Sequence, residues 1–136
     1  ETQHTFGYAI LIDCHSMPSA AMTPGGGPRP DFVVGDRFGA AAAPHVSHLI
    51  RDTLRGLGYE VEMNRPYAGG HITEHHGRPA KGVHALQIEI NRGLYLNEKT
   101  LEPSPAYADL QNDLDLFAKQ IFDSLPRMLD IRAAAE

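Results

Sequence analysis

With 136 residues, a net charge of −5, 42% hydrophobic and 21% charged residues, the chain is sized for one domain around a single core. It lacks the basic stripe that neutralises phosphates, so nucleic acid is excluded as a partner, and no apolar run approaches the ~20 residues of a membrane span. A single cysteine rules out an internal disulfide framework and a Cys-rich zinc site, and a reducing cytoplasm is the expected compartment. Eight histidines are a high share, and imidazole is the side chain best suited to metal binding and proton transfer near neutral pH.

The first element is "YAILIDCHS", in which a buried strand (Ala9 to Ile12, with Tyr8 before it) runs directly into Asp13, Cys14, His15 and Ser16. Ser16 to Asp31 is rich in Pro, Gly and Ala and reads as a long loop, of the kind that is usually functional. "FVV" (Phe32 to Val34) is a short buried strand stopped by Gly35. Pro44 opens a helix whose apolar face is Val46, Leu49, Ile50, Leu54 and Leu57, with Gly58 as its C-terminal cap. "YEVEM" alternates as a strand and ends at Asn64, the stretch "AGGHITEHHGRPAKG" reads as a loop, and Val83 to Ile90 is a further strand. Ser104 as N-cap and Pro105 then open a long helix with Tyr107, Leu110, Leu114, Phe117, Ile121 and Leu125 on one face, which Pro126 should kink or break.

This order is an α/β pattern with a largely parallel sheet. In such sheets ligands bind outside the carboxyl ends of the strands. Parallel strands would therefore gather Asp13-Cys14-His15, Gly35-Asp36-Arg37, Asn64-Arg65 and Glu89-Asn91-Arg92 along one edge.

Each of these residues has a plain reading beside the functional one. His15 can ligate zinc with Asp13 or a backbone carbonyl fixing its tautomer, or it can simply hydrogen-bond to backbone at a strand end. Glu89 shares a strand face with Val83, Ala85 and Gln87. A buried, unpaired carboxylate there costs several kcal/mol, which either a general-base role or an ion pair with Arg92 or Arg37 would justify. Arg37, Arg65 and Arg92 can clamp a carboxylate bidentately or can be surface arginines. Asn64, before "PYAGG", marks a turn where glycines permit close approach. His45 and His48 have metal-compatible spacing on a helix without an obvious third ligand, and "HITEHH" (His71 to His76) reads as a solvated face at the rim of the site. Cys14 and His15 are neighbours on a strand and point to opposite faces, so a Cys–His nucleophile is discarded.

"DCHSMPS", "GDRFGAAA", "NRPYAGGHIT" and "GVHALQIEINRGLYL", in this order between Tyr8 and Leu96, resemble the N-formylglutamate amidohydrolase (N-formylglutamate deformylase) family. The resemblance implies an α/β/α sandwich around a mostly parallel mixed sheet, of the zinc carboxypeptidase and aspartoacylase type. It implies zinc as cofactor, His15 as the third metal ligand and Glu89 as the carboxylate that moves a proton from water to the leaving amine. Arg37, Asn64 and Arg65 become the candidates for holding the carboxylates of a small N-acyl amino acid. The reaction implied is hydrolysis of N-formyl-L-glutamate to formate and glutamate in histidine breakdown. A related deacylase or peptidase acting on another N-acyl amino acid is the alternative, as is a non-catalytic fragment binding acidic ligands. In this family the first two zinc ligands lie in an N-terminal half that has no counterpart here. Residues 1–136 are therefore expected to be the carboxyl-terminal part of a single domain, completed by a missing N-terminal segment or by homo-oligomerisation.

Overall fold

The computed structural model describes residues 1–19, 27 and 29–133, with side chains as far as residue 125. In chain order these residues form α1 (Thr2–Phe6), β1 (Ala9–Met17), β2 (Phe32–Gly35), α2 (Pro44–Gly56), β3 (Val61–Met63), α3 (His71–His76), β4 (Val83–Asn91) and α4 (Tyr107–Ala133). Single 3-10 turns at Pro79–Lys81 and Arg92–Leu94 flank β4. The fold is α/β, as expected. Among the described residues no helix is long and apolar enough to cross a membrane.

The four strands make one mixed sheet in the order β1-β4-β2-β3. β1 and β4 are parallel, β2 and β3 are parallel, and the central β4–β2 pair is antiparallel. The expected single edge of strand tips does not form. The carboxyl ends of β2 and β3, which carry Asp36, Arg37, Asn64 and Arg65, lie at the opposite edge from those of β1 and β4. A strand–helix–strand sequence fixes parallel pairing within a unit; it says nothing about the sense in which two such pairs are joined.

Side chains alternate between the two faces of each strand. One face carries Ile10, Ile12, Leu86, Ile88, Ile90, Phe32 and Val34, and α2 and α4 close over it with Val46, Ile50, Leu54, Leu110, Phe117 and Ile121. The ends of α2 follow the expected chemistry. Pro44 sits in its first turn, and Gly58 takes a left-handed backbone (φ 96) just past its end. The Tyr59 N–H then reaches back to the Leu54 carbonyl at 3.4 Å.

Four local expectations change. The strand that begins at Ala9 runs on to Met17, so Ser16 and Met17 belong to β1 rather than to a loop; residues 20–26 and 28 of that expected loop lie outside the described residues. The segment around His71 holds a six-residue helix where a loop was expected, seated through buried Thr73. Ser104 does not cap α4 with its hydroxyl, which donates instead to the Leu94 carbonyl at 3.3 Å. Nor does Pro126 end α4, which continues to Ala133; a proline removes one backbone donor, and the surrounding turns can carry a helix through it.

Tyr59, in the turn between α2 and β3, packs edge-on to Phe32 at 4.9 Å and donates its hydroxyl to Asp113 on α4 at 2.6 Å. Burial, and then this bond to a carboxylate, push the Tyr59 phenol above its ordinary value of 10.0. A raised folded-state value means that the contribution is present in full below the unfolded value and is lost as pH climbs above it. Tyr59→Phe is expected to lower unfolding free energy by about 1 kcal/mol at pH 8. The gap between the two proteins should narrow at pH 11, above the phenol's ordinary value of 10.0, where the unfolded chain ionises and the folded one keeps its proton. Urea denaturation of both at the two pH values checks this, and a gap that widens with pH contradicts it.

Candidate active site

The second face of the sheet is polar where the first is apolar. In the β1–β4 register Asp13 lies opposite Gln87 and His15 opposite Glu89, so four polar side chains stand side by side. They form one continuous chain of contacts. The Gly70 N–H donates to Gln87 Oε1 at 2.7 Å, Gln87 Nε2 donates to Glu89 Oε1 at 2.6 Å, and that oxygen lies 3.8 Å from His15 Nδ1. His15 Nε2 is in turn 3.0 Å from Asp13 Oδ2. Gln87 and Glu89 are 5% and 7% exposed, whereas the imidazole of His15 is about half exposed, at 47%. A sheltered carboxylate thus borders an imidazole that a ligand can reach.

Neither ion pair expected for Glu89 forms. Arg92 points at Ser16, with Nε 3.3 Å from its hydroxyl, and Arg37 pairs with Glu74 at 3.0 Å. The buried carboxylate is kept by an amide donor and a nearby imidazole instead of a guanidinium.

His15 suits one position of a metal site, since Asp13 holds Nε2 and leaves Nδ1 turned towards Glu89. A catalytic zinc takes three protein ligands. Among the described residues no group of three His, Cys, Asp or Glu side chains could hold a metal ion. The described residues therefore do not make a zinc site by themselves.

The loop from Asn64 to Gly70 is pressed onto the same face. Gly35 lies opposite Gln87, and a Cβ there would sit 2.6 Å from Ala68 C and Gly69 N. Only a glycine lets the loop come down far enough to present the Gly70 N–H. The next residue, Asp36, is buried and accepts three bonds, from Asn64 Nδ2 (2.8 Å), the Gly39 N–H (3.0 Å) and the Ser47 hydroxyl (2.6 Å). Asn64 adopts a left-handed backbone (φ 61), and its Oδ1 accepts the N–H groups of Asp36 and Phe38. Its amide is thus spent on bracing the 36–38 turn.

Arg37 lies in that turn with φ 57, its N–H bonded to the Ala68 carbonyl and Nη1 3.5 Å from the Gly69 carbonyl. Its link to Glu89 is indirect, through Gly69, Gly70 and Gln87. Arg65 is exposed. The structure therefore brings His15 and Glu89 together and leaves Arg37, Asn64 and Arg65 around the loop at the other end of β2. Asp13 is one of the two partners that the sequence offered for the His15 ring; Gln87 is the one it did not single out, and the period-2 alternation around Glu89 was the signal.

Other candidates resolve plainly. Cys14 points to the opposite face and lines an apolar groove with Ile12, Ile88 and Phe117. Burial, and then Asp13, raise its thiol pKa, which disfavours the thiolate. His45 packs edge-on to His84 at 6.1 Å, and buried His84 accepts the Ala43 N–H at the start of α2. His71, Glu74, His75 and His76 are exposed on α3, which packs against β4 and β1 on the site face.

Residues 1–96 match the family model described as N-formylglutamate amidohydrolase. An N-formylglutamate deformylase of Pseudomonas putida is 36% identical over 121 residues, covering 88% of this chain and 45% of the relative. The N-formylglutamate deformylase of Pseudomonas aeruginosa is 34% identical over the same length. The crystal structure of an N-formylglutamate amidohydrolase from Ralstonia eutropha superposes with a TM-score of 0.84 at 37% identity, over 92% of this chain and 46% of that one. The chain thus spans less than half the length of these relatives.

Gly35→Ala is expected to lift the 68–70 loop and lower unfolding free energy by about 1–3 kcal/mol, the usual cost of forcing atoms into a packed contact. Urea denaturation measures it. An unchanged midpoint would show that the loop has room to spare and that Gly70 is not held down as described.

Proposed function

The chain belongs to the N-formylglutamate amidohydrolase family, and on that premise we propose that the protein hydrolyses N-formyl-L-glutamate with one water to formate and L-glutamate. The observation that carries this reading is the pair on adjacent strands: a sheltered Glu89 carboxylate in register with a reachable His15 imidazole. Glu89 takes a proton from the attacking water as it adds to the formyl carbon. It then returns that proton to the amide nitrogen as the C–N bond breaks, so that the amine leaves neutral. Asp13 holds the His15 ring in one orientation throughout.

Zinc is the expected cofactor and would supply Lewis acidity at the formyl oxygen. His15 Nδ1 fits one of its ligand positions, and the remaining ligands would come from the part of the relatives' length that these 136 residues do not span. We place residues 1–136 as the carboxyl-terminal part of a single α/β/α domain of the zinc carboxypeptidase and aspartoacylase type, acting in the cytoplasm in histidine breakdown. Support for the layering comes from α2 and α4 on one face of the sheet and α3 on the other.

For the substrate's carboxylates the guanidinium of Arg37 is the leading anchor. Its present partner Glu74 is exposed, with a side chain 62% accessible, so exchanging it for a substrate carboxylate costs little. Exposed Arg65 is a second cation at the same loop. Asn64 contributes by shaping the turn that carries Arg37, since its own amide is committed.

In the full-length protein Glu89→Gln is expected to lower kcat by about 10²–10⁴-fold with little change in KM, and His15→Ala to abolish turnover. Steady-state assays on formyl, acetyl and succinyl glutamate check both the role and the acyl preference. Wild-type turnover in Glu89→Gln would refute the base, and equal rates on the three substrates would point to a broader N-acyl amino acid deacylase.

A further inference from the structure

Gln87 is a costly residue to place where it is. It is only 5% exposed, its neighbours along the strand are Ala85, Leu86 and Ile88, and a buried amide is tolerated only when both of its ends find partners. Both ends do. The Gly70 N–H can only donate, so the group facing it must be the amide oxygen, at 2.7 Å. That leaves Nε2 to face Glu89 Oε1, at 2.6 Å. Turning the amide over would set NH2 against N–H at one end and oxygen against a carboxylate at the other. The orientation is therefore fixed twice over.

The neighbours across the sheet leave Gln87 no other role. Asp13 lies opposite on one side and is turned to His15; Gly35 lies opposite on the other and has no side chain, its space being filled by the Ala68–Gly70 backbone. Gln87 is the bridge between that backbone and Glu89.

We propose that Gln87 is the positioning residue for Glu89: one end of its amide is registered on the Gly70 backbone, and the other end holds Oε1 as an acceptor, leaving Oε2 as the oxygen that takes and returns the proton. This rests on the reading of Glu89 as the proton carrier. Among the described residues Oε1 receives the hydrogen bond and Oε2 receives none. A carboxylate held by one oxygen keeps a single rotamer while its other oxygen stays free to react, which is what orientation to within a fraction of an ångström requires.

The test is steady-state kinetics on the full-length enzyme with N-formyl-L-glutamate, using Gln87→Met, Glu89→Gln, the double variant and Gly70→Ala. Gln87→Met keeps length and bulk and removes both hydrogen bonds. We expect kcat to fall about 10–100-fold with KM within about twofold, and the thermal midpoint to fall because the Gly70 N–H and Glu89 lose their partner. In the Glu89→Gln background the same substitution should cost less than about threefold, because an orienting group has nothing left to orient. Gly70→Ala tests the far end without altering either side chain. Its Cβ would lie 3.2 Å from Gln87 Oε1, and a smaller kcat loss of about 3–10-fold is expected, which keeps the idea testable if Gln87→Met fails to fold. Turnover within twofold of wild type in both variants overturns the proposal. So does a loss carried in KM, or one that persists in full in the Glu89→Gln background. An inactive Glu89→Gln beside a normal Gln87→Met removes only this inference. A fully active Glu89→Gln removes the proposed function and takes this inference with it.

Discussion

The site depends on the register of two parallel strands. Pairing β1 with β4 so that His15 meets Glu89 is what makes an imidazole and a carboxylate neighbours. That register is set on the far side of the sheet. Ile10, Ile12, Leu86, Ile88 and Ile90 must all face α2 and α4, and a slip of one residue would exchange the faces, driving Glu89 and Gln87 among Phe117 and Ile121 and turning Ile88 out. Each buried aliphatic side chain contributes roughly 1.5–3 kcal/mol relative to exposure. The hydrophobic core therefore supplies the alignment of the polar site, and the polar residues need not find one another unaided.

This explains which features could be read from the sequence. His15 stood out at the polar tip of an apolar strand and Glu89 as a carboxylate within one, local contrasts visible without a partner. The strands, α2 and the Gly58 stop were local in the same sense. Asp13 and Gln87 each bond a residue two along on their own strand, His15 and Glu89; what the strands' own composition does not specify is the β1–β4 pairing that sets the two pairs side by side. The antiparallel join of β4 to β2 is likewise a choice between two whole units, and no residue within either one encodes it. It moved Arg37, Asn64 and Arg65 to the opposite edge from the tips of β1 and β4. Asn64 looked like a ligand-approach turn and is one in backbone (φ 61), yet its amide is turned inward to Asp36 and Phe38. The brief helix at His71–His76 was hidden because histidine and glycine composition reads as loop, while its seating on the sheet comes from buried Thr73.

Two buried carboxylates lie close together here, Glu89 on β4 and Asp36 just past the end of β2, and their surroundings differ. Asp36 accepts from a side-chain amide, a backbone N–H and a hydroxyl. Those three donors come from the β3 end, the 36–39 turn and α2. Asp36 thereby ties three segments together, and with both oxygens engaged it has nothing left to offer a reaction. Glu89 receives one hydrogen bond among the described residues, from a side chain whose own orientation is dictated by backbone. A structural carboxylate is recognised by saturation, because every donor lowers the cost of its burial. A reactive one must stay short of saturation, since an oxygen committed to a fixed donor cannot also exchange a proton with a moving one. On that criterion the 36–39 turn and its Asn64 brace are the frame that fixes the loop, the loop fixes Gln87, and among the described residues Glu89 keeps an oxygen without a donor, beside the half-exposed imidazole of His15.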